Sequence, residues 1–155
     1  MGQIAGPVGT SKGAWDSTEW FPLFLTSCKS LGLLPKQLPI ASTIDWISDN
    51  ILAGFILELL QHGANQEGSL VYNVINPSLS TWQELYPAVH RALARLNKNQ
   101  IKLVDYADWL RALEKAWSEN RTQTEVLNNP AVKILEFFQA LENDGVDELY
   151  LKDFY

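Results

Sequence analysis

Residues 71–82, VYNVINPSLSTW, decide the fold class of this chain. The apolar opening, residues 71–75, predicts a short strand, and Asn76-Pro77 ends it with turn chemistry. Ser80 and Thr81 are each followed three residues later by Gln or Glu, which is the capping-box pattern of a helix start. A strand that leads directly into a helix is the repeating unit of α/β folds, so the question is which neighbours this strand has.

The segments on either side supply similar units. A helix is predicted from Asp16 to the left-handed stop at Gly32, and another from Ser48 or Asp49, whose broad apolar stripe predicts that it is well buried. Asn129-Pro130 predicts the cap and first residue of a final helix that reaches about residue 143. Further short extended pieces are predicted in GQIAGP, STIDWI and IKLVDY, and further helices in residues 81–96 and 107–117.

The predicted fold class is therefore α/β, helix-rich, with three or four short strands. At 155 residues the chain is expected to form a single domain, 1–155, with a flexible Gly-rich start at 1–15 and an aromatic tail at 148–155. A parallel sheet normally needs more strands than this to bury its edges. We therefore expect an apolar face or an unpaired edge beside the strand at 71–75.

Composition excludes several classes of function. The net charge is -6 and no Lys/Arg cluster occurs, which argues against nucleic acid and anionic membranes as partners. The longest apolar block, ILAGFILELL, is too short to span a bilayer, so a cytoplasmic protein is expected. A single cysteine fits a reducing compartment. The scattered His62, His90 and Cys28 show no metal-ligand spacing, so we expect no metal site.

Polar and aromatic residues at the predicted strand ends are candidates for a binding site. Asp45 and Trp46 lie at the end of one strand and Asn76 at the end of the next, where open α/β sheets bind ligands. The alternatives are a packing Trp with a capping Asp, and turn chemistry at Asn76-Pro77. Trp82, among the abundant aromatic residues, either packs in the core or lines an apolar pocket. No nucleophile with an orienting base, and no acid pair, stands out, so catalytic residues are not assigned.

Several of these segments together resemble one family. GQIAGP, STIDWI with the helix after it, VYNVINPSLSTW, DWLRALEKAW and NNPAVKILEFFQAL are similar to the C-terminal, substrate-binding portion of thioester reductase domains. These domains are extended short-chain dehydrogenase/reductases of fungal NRPS-like and carboxylate-reductase-type enzymes, which release a carrier-bound acyl thioester as an aldehyde with NADPH. The resemblance covers nearly the whole chain.

The resemblance implies a truncated short-chain-dehydrogenase-like subdomain that lacks the Rossmann nucleotide-binding half. The family's Gly-rich nucleotide loop is missing, and no Tyr is followed four residues later by Lys. The family's hydride chemistry therefore does not carry over, and no cofactor is expected. The family commonly has Pro-Val-Asp where this chain has Ser48-Asp49-Asn50, which leaves the family role of that Asp in doubt at Asn50.

Two functions follow as hypotheses. In the first, the protein is a non-redox module of secondary metabolism that recognises a hydrophobic acyl or polyketide substrate, alone or on a carrier protein, through Asp45, Trp46, Asn76 and Trp82. In the second, it is a stand-alone, cofactor-free cyclase, isomerase or dehydratase with a shaped apolar pocket. Met1 is interpreted as the start of a short gene beginning partway through the parent domain. The exposed sheet edge is expected to be covered by a homodimer partner, by a separate nucleotide-binding partner, or by the chain's own Gly-rich start and aromatic tail, with the homodimer favoured.

Overall fold

The computed structural model describes residues 3–10, 12–63, 71–96, 100–119 and 122–143. The chain divides into two compact units, one comprising Met1–Asp16 and Ile44–Ser80 and the other Ser17–Thr43 and Thr81–Tyr155. The predicted tail at 148–155 lies outside the described residues. In chain order the strands and α-helices are β1 (Ile4–Ala5), α1 (Trp20–Leu31), β2 (Leu33–Pro35), β3 (Ile47–Ser48), α2 (Asp49–Gly63), α3 (Trp82–Leu96), β4 (Lys102–Val104), α4 (Tyr106–Glu119), α5 (Gln123–Asn128) and α6 (Leu135–Asn143).

The first unit contains a parallel pair of very short strands. β1 pairs with β3, with Ile4 opposite Ile47 and Ala5 opposite Ser48. β1 confirms the strand predicted in GQIAGP. β3 overlaps the strand predicted in STIDWI only at Ile47, because the observed strand begins at the end of that segment. α2 follows β3 without a loop, so the strand-helix unit is present, and the helix-rich α/β class is confirmed in this coarse form.

The strand predicted for residues 71–75 is wrong. These residues have no strand assignment, and Val71 is 88% exposed. Within the described parts of the unit, the first backbone hydrogen bond from this segment is that of Asn76, and an antiparallel bridge joins Ile44 and Ser80. The physical reason is the lack of neighbouring strands. An extended segment becomes a strand only when another strand pairs with it, and among the described residues none pairs with residues 71–75.

Helix α2 starts where the sequence predicts, but the prediction that it is well buried is wrong. Leu52, Phe55 and Leu59 are half-buried on one side, whereas Ile56 and Leu60 are 47% and 67% exposed. Two strands of two residues each offer one small surface to pack against. A helix with a broad apolar stripe can bury only one edge of it there.

The second unit is built on a parallel pair, β2 and β4, with Leu34 opposite Leu103. β4 confirms the strand predicted in IKLVDY. β2 lies in a segment for which the sequence analysis predicts no strand. β2 pairs with a strand that is distant in sequence, and Pro35 at the end of β2 is a residue that normally breaks strands. For both reasons the local sequence does not predict β2.

An aromatic core fills this unit. Phe24, Trp82, Trp109 and Phe138 are completely buried. The Phe24 ring lies 5.0 Å from Trp109 and 5.9 Å from Trp82 by ring centroids, both in edge-to-face geometry. Trp109 also meets Phe138 edge to face at 5.2 Å. Such pairs add to the stabilisation from burial alone, by about 0.5–1.5 kcal/mol each.

The helix ends show which local signals determine structure. α1 ends at Gly32, with φ 69° as predicted, but it begins at Trp20 rather than at Asp16. α3 begins after the predicted capping box: the Thr81 backbone N–H donates to Glu84 Oε2 at 3.1 Å, and the Glu84 N–H donates to Thr81 Oγ1 at 3.4 Å. Of the two capping boxes that the sequence offers, the structure therefore forms the one that begins at Thr81 and not the one that begins at Ser80.

The last helical segment begins where the sequence predicts, with Asn129 at the cap position and Pro130 at the first position, but its first turn and its capping contact differ from the prediction. Pro130–Ile134 forms a 3₁₀ turn before α6, and the Asn129 side chain makes no capping hydrogen bond. The Ala131 N–H instead donates to the hydroxyl of Ser27, on α1, at 3.0 Å. A distant buried hydroxyl therefore replaces the local cap that the sequence suggests.

Candidate functional site

Three of the four predicted site residues meet in the first unit. The Asn76 backbone N–H donates to the Asp45 carbonyl at 3.3 Å, and its side-chain Nδ2 donates to the Trp46 carbonyl at 3.0 Å. Asn76 Oδ1 accepts from the Ser78 N–H at 3.0 Å, as in an Asx turn. The amide thus joins the segment before β3 to the turn at Asn76-Pro77. It retains one N–H and one lone pair for further contacts.

Trp46 forms an aromatic pair with Trp15, a residue that the sequence analysis does not single out. Their ring centroids are 5.4 Å apart at an interplanar angle of 82°. Both indoles are half-buried, so part of each ring surface remains accessible. The arrangement places apolar aromatic surface beside the hydrogen-bonded Asp45–Asn76 junction.

Gly6 allows Trp15 to take this position. A Cβ added at Gly6 would lie 2.7 Å from the Trp15 Cβ and 2.9 Å from its backbone nitrogen, which is too close for any other residue. The contact joins two points of a loop. No periodic or motif signal predicts it, which explains why sequence analysis missed both residues.

Asn50 ties the Gly-rich start to the beginning of α2. The Val8 N–H donates to Asn50 Oδ1 at 3.1 Å, and Asn50 Nδ2 donates to the Val8 carbonyl at 3.2 Å. This double contact needs an amide, because a carboxylate only accepts hydrogen bonds when ionised. The side chain of Asn50 therefore has a structural role in this chain that an ionised carboxylate would not fill.

Trp82, the fourth predicted site residue, belongs to the second unit and is completely buried there. Its indole N–H donates to the Pro35 carbonyl at 3.0 Å, and its ring contacts Phe24 and Tyr86. A side chain without exposed surface, with its one polar group satisfied, anchors α3 against the core.

The second unit has an open groove of about 550 Å³ at the C-terminal end of α1. This volume is within the range of small-molecule sites, although such sites are usually more enclosed. Its lining carries two cations, Lys29 and Lys102, together with polar and apolar groups. The full lining is Thr26, Lys29, Ser30, Leu31, Gly32, Leu33, Gln100, Lys102, Leu127 and Asn128. Sequence analysis did not predict the groove, because it arises where β4 pairs beside the end of α1.

Two ionisable groups with shifted pKa values lie in the core of the second unit. Burial raises the pKa of the Cys28 thiol well above its ordinary value, an effect that the neighbouring Trp109 indole partly opposes. Burial also raises the pKa of Tyr106, and the nearby charge of Glu142 raises it further. The Tyr106 phenol donates a hydrogen bond to the Phe138 carbonyl at 2.8 Å. Both groups stay neutral, so neither is prepared to act as a nucleophile.

Among the described residues, no three His, Cys, Asp or Glu side chains lie together as a metal site would require. Within the same parts of the chain, no helix has the length and apolarity needed to cross a membrane.

Comparison with known proteins identifies relatives among fungal biosynthetic enzymes. No family model matches the chain. A carboxylic acid reductase of Neurospora crassa is 32% identical over 144 residues, which is 90% of this chain and 13% of that enzyme. An adenylate-forming reductase of Serpula lacrymans is 30% identical over 151 residues, 96% of this chain and 13% of the enzyme. A non-reducing polyketide synthase of Stachybotrys chartarum is 28% identical over 138 residues, 89% of this chain and 5% of the synthase.

These matches confirm the resemblance seen in the sequence. About nine tenths of the chain is similar to segments of these fungal reductases, which matches a fungal thioester reductase-type domain. It spans about 13% of the length of the two reductases, so it corresponds to a small part of each of those proteins.

Proposed function

We propose that this chain is the substrate-recognition part of a thioester reductase-type domain, and that it has no redox activity of its own. Its substrate would be a hydrophobic acyl or polyketide group, presented as a thioester on a carrier protein. The observation that carries the proposal is the alignment of nine tenths of the chain with reductases and with a polyketide synthase. The proposed placement is the C-terminal subdomain of a short-chain-dehydrogenase-like fold.

The residues present do not fit a nicotinamide cofactor. A dinucleotide loop needs closely spaced glycines between a strand and a helix, so that the pyrophosphate meets the helix N-terminus. In this chain Gly6 lies against Trp15, and Gly9 and Gly13 have positive φ values of 67° and 84° in a loop that is not followed directly by a helix. The sequence also lacks Tyr-x-x-x-Lys. No reduction step is therefore assigned to this chain.

The proposed contact surface is the junction of Asp45, Trp46 and Asn76 with Trp15. The accessible parts of the two indole rings offer apolar surface to an acyl chain or aromatic ketide. The remaining N–H of Asn76 is available to a carbonyl oxygen of the ligand, and Asp45 lies next to it in the same backbone junction. Trp82 is left out of this surface because none of it is exposed.

Calorimetric titration with acyl thioesters of N-acetylcysteamine, which copy the end of a carrier's pantetheine arm, tests the proposal. An alkyl and a dihydroxybenzoyl thioester should both bind saturably. Trp46→Ala should weaken binding by roughly tenfold or more, the loss expected from removing a large aromatic contact. Trp117→Ala is the matched control, since Trp117 is equally half-buried but lies on α4 of the second unit.

Absence of binding, or binding that Trp46→Ala and Trp117→Ala weaken equally, would contradict the proposed surface. The same samples distinguish the other functions. Release of free thiol or formation of a rearranged product would favour the cofactor-free enzyme, with Asp45 as the first acid or base to test. Saturable NADPH binding, followed by nicotinamide fluorescence, would overturn the non-redox assignment.

A further inference from the structure

The chain that leaves β1 doubles back on itself before it reaches the second unit. A Cβ placed on Gly6 would lie 2.7 Å from the Trp15 Cβ, and one placed on Gly13 would lie 3.1 Å from Pro7 Cγ. The outgoing and returning arms are therefore in close contact. Compact loops whose ends meet in this way frequently carry function. We name residues 6–10 and 12–15 the Trp15 loop.

Asn50 holds the outgoing arm of the Trp15 loop. Its side-chain amide makes two hydrogen bonds with the Val8 backbone, at 3.1 and 3.2 Å. Val8 is 55% exposed, and the next residue, Gly9, has a positive φ of 67° and open space where a side chain would lie. Because this turn is so little packed, the position of the arm depends on the two hydrogen bonds.

The returning arm of the loop carries Trp15 to Trp46. Their rings meet edge to face, with centroids 5.4 Å apart and an interplanar angle of 82°. Trp46 directly precedes β3, and Asn50 is the second residue of α2, which directly follows β3. One short stretch of chain therefore holds both arms of the loop. Releasing the outgoing arm would lengthen the free part of the loop and give Trp15 more conformations.

The half-buried rings of Trp15 and Trp46 are the apolar part of the contact surface proposed above, and the inference rests on that proposed function. A surface that is ordered before the ligand arrives binds more tightly, because no interaction free energy is spent on ordering its side chains. We propose that Asn50 is a positioning residue for acyl-group binding. It does not touch the ligand, and it holds the Trp15 loop so that Trp15 is already in place beside Trp46.

Fluorine NMR of the ligand-free protein, with fluorinated tryptophan at its six Trp positions, tests the positioning directly. Single Trp→Phe substitutions assign the resonances. Asn50→Ala should shift or broaden the resonances of Trp15 and Trp46. The resonance of Trp109, which is completely buried in the second unit, should not change. Asn73→Ala is the matched control, because it removes an exposed amide from the first unit.

Two results of this experiment would overturn the proposal. In the first, Asn50→Ala leaves the Trp15 and Trp46 resonances in place. In the second, Asn73→Ala changes them as much as Asn50→Ala does. A general loss of stability would not produce the expected result, since it would not single out these two rings in the folded protein.

Calorimetric titration with the dihydroxybenzoyl thioester of N-acetylcysteamine tests the consequence for binding. Asn50→Ala should weaken binding by about two- to tenfold, which is the effect of ordering one further side chain when the ligand binds. In protein that already carries Trp15→Ala, Asn50→Ala should have no further effect, because Asn50 acts through Trp15. An equal loss in both backgrounds would overturn the proposal.

The two measurements separate this inference from the proposed function. If the wild-type protein binds no thioester, the proposed function fails, whereas the fluorine spectra still decide whether Asn50 positions Trp15. If Asn50→Ala does not fold, Gly9→Ala loosens the same arm, because its methyl group meets no other atom but its φ of 67° is strained for alanine. Gly9→Ala should then move the resonances of Trp15 and Trp46, and unchanged resonances would overturn the proposal.

Discussion

The side-chain amide of Asn50 forms two hydrogen bonds with the backbone of Val8, 42 residues earlier in the chain, at 3.1 and 3.2 Å. These two hydrogen bonds connect Val8 and Asn50 just beyond the end of the β1–β3 pairing. It fixes the Gly-rich loop against the first turn of α2. Because the amide both donates and accepts, this bridge is specific to Asn.

We predict that Asn50→Asp destabilises the protein by about 1 kcal/mol at pH 7, since one exposed hydrogen bond is lost and a carboxylate faces the Val8 carbonyl. The repulsion raises the folded-state pKa of the new carboxyl above its unfolded value of about 4. Stability relative to wild type is therefore retained below that pH and lost as the pH rises through the folded pKa.

Urea unfolding at pH 4 and pH 7 measures this difference. Asn73→Asp is the matched control, because Asn73 is exposed in the same unit and its substitution adds the same charge. A loss that is equal at both pH values, or equal in the two variants, would argue that the Asn50 bridge contributes nothing specific.

We predict that Ser27→Ala costs about 1–3 kcal/mol of unfolding free energy. Ser27 is completely buried, and its hydroxyl accepts the Ala131 N–H, which alanine would leave buried without a partner. Thr26→Ala is the neighbouring control: Thr26 is exposed and its hydroxyl donates to the Pro22 carbonyl within its own helix, so its loss should stay within about 0.5 kcal/mol. Equal effects in urea unfolding would remove Ser27 as the cap of the 3₁₀ turn.

The Asn50–Val8 and Ser27–Ala131 contacts could not be predicted from the sequence, whereas several local features could. Gly32 and the Thr81–Glu84 box were predictable because each acts within a few residues through backbone conformation or hydrogen bonding. The Asn50–Val8 and Ser27–Ala131 contacts join residues distant in sequence. Neither leaves a local pattern, since Asn and Ser occur in many turns and helix surfaces for other reasons.

The candidate site was predictable only in part, for a related reason. The sequence analysis grouped Asp45, Trp46 and Asn76 as strand ends, and the Asn76 hydrogen bonds do join them. The strand-end placement is wrong, however, because Asp45 and Trp46 precede β3 and residues 71–75 form no strand. Trp15 was missed because its position depends on the missing Cβ of Gly6. The substrate-binding role of Asp45, Trp46 and Asn76 stays a prediction.

The capping box offers a direct test of local helix stabilisation. Thr81→Ala should reduce stability by about 1 kcal/mol, because the first turn of α3 loses an acceptor. Glu84→Ala should cost less alone, and the double substitution should cost less than the sum, since the two side chains serve one reciprocal motif. Gln83→Ala, at the exposed position between them, is expected to be neutral. Additive losses in a double-mutant cycle would show that the two hydrogen bonds act independently.

The last prediction concerns Cys28, the single thiol of the chain. It is completely buried on α1, and burial raises its pKa well above the ordinary value, so both access and thiolate formation are suppressed in the folded protein. Labelling with a thiol reagent should therefore be slow in buffer and complete in urea.

The pH dependence of this labelling gives a second test. An ordinary exposed thiol reacts faster as the pH approaches its pKa of about 8.5. Labelling of folded Cys28 should instead require local opening of the core. Between pH 7 and pH 9 its rate should therefore change only as much as that of the opened state changes. A short unfolded peptide containing residues 24–32 measures that change. Folded protein that labels as fast as this peptide at pH 7 would show that the α1 core is open in solution.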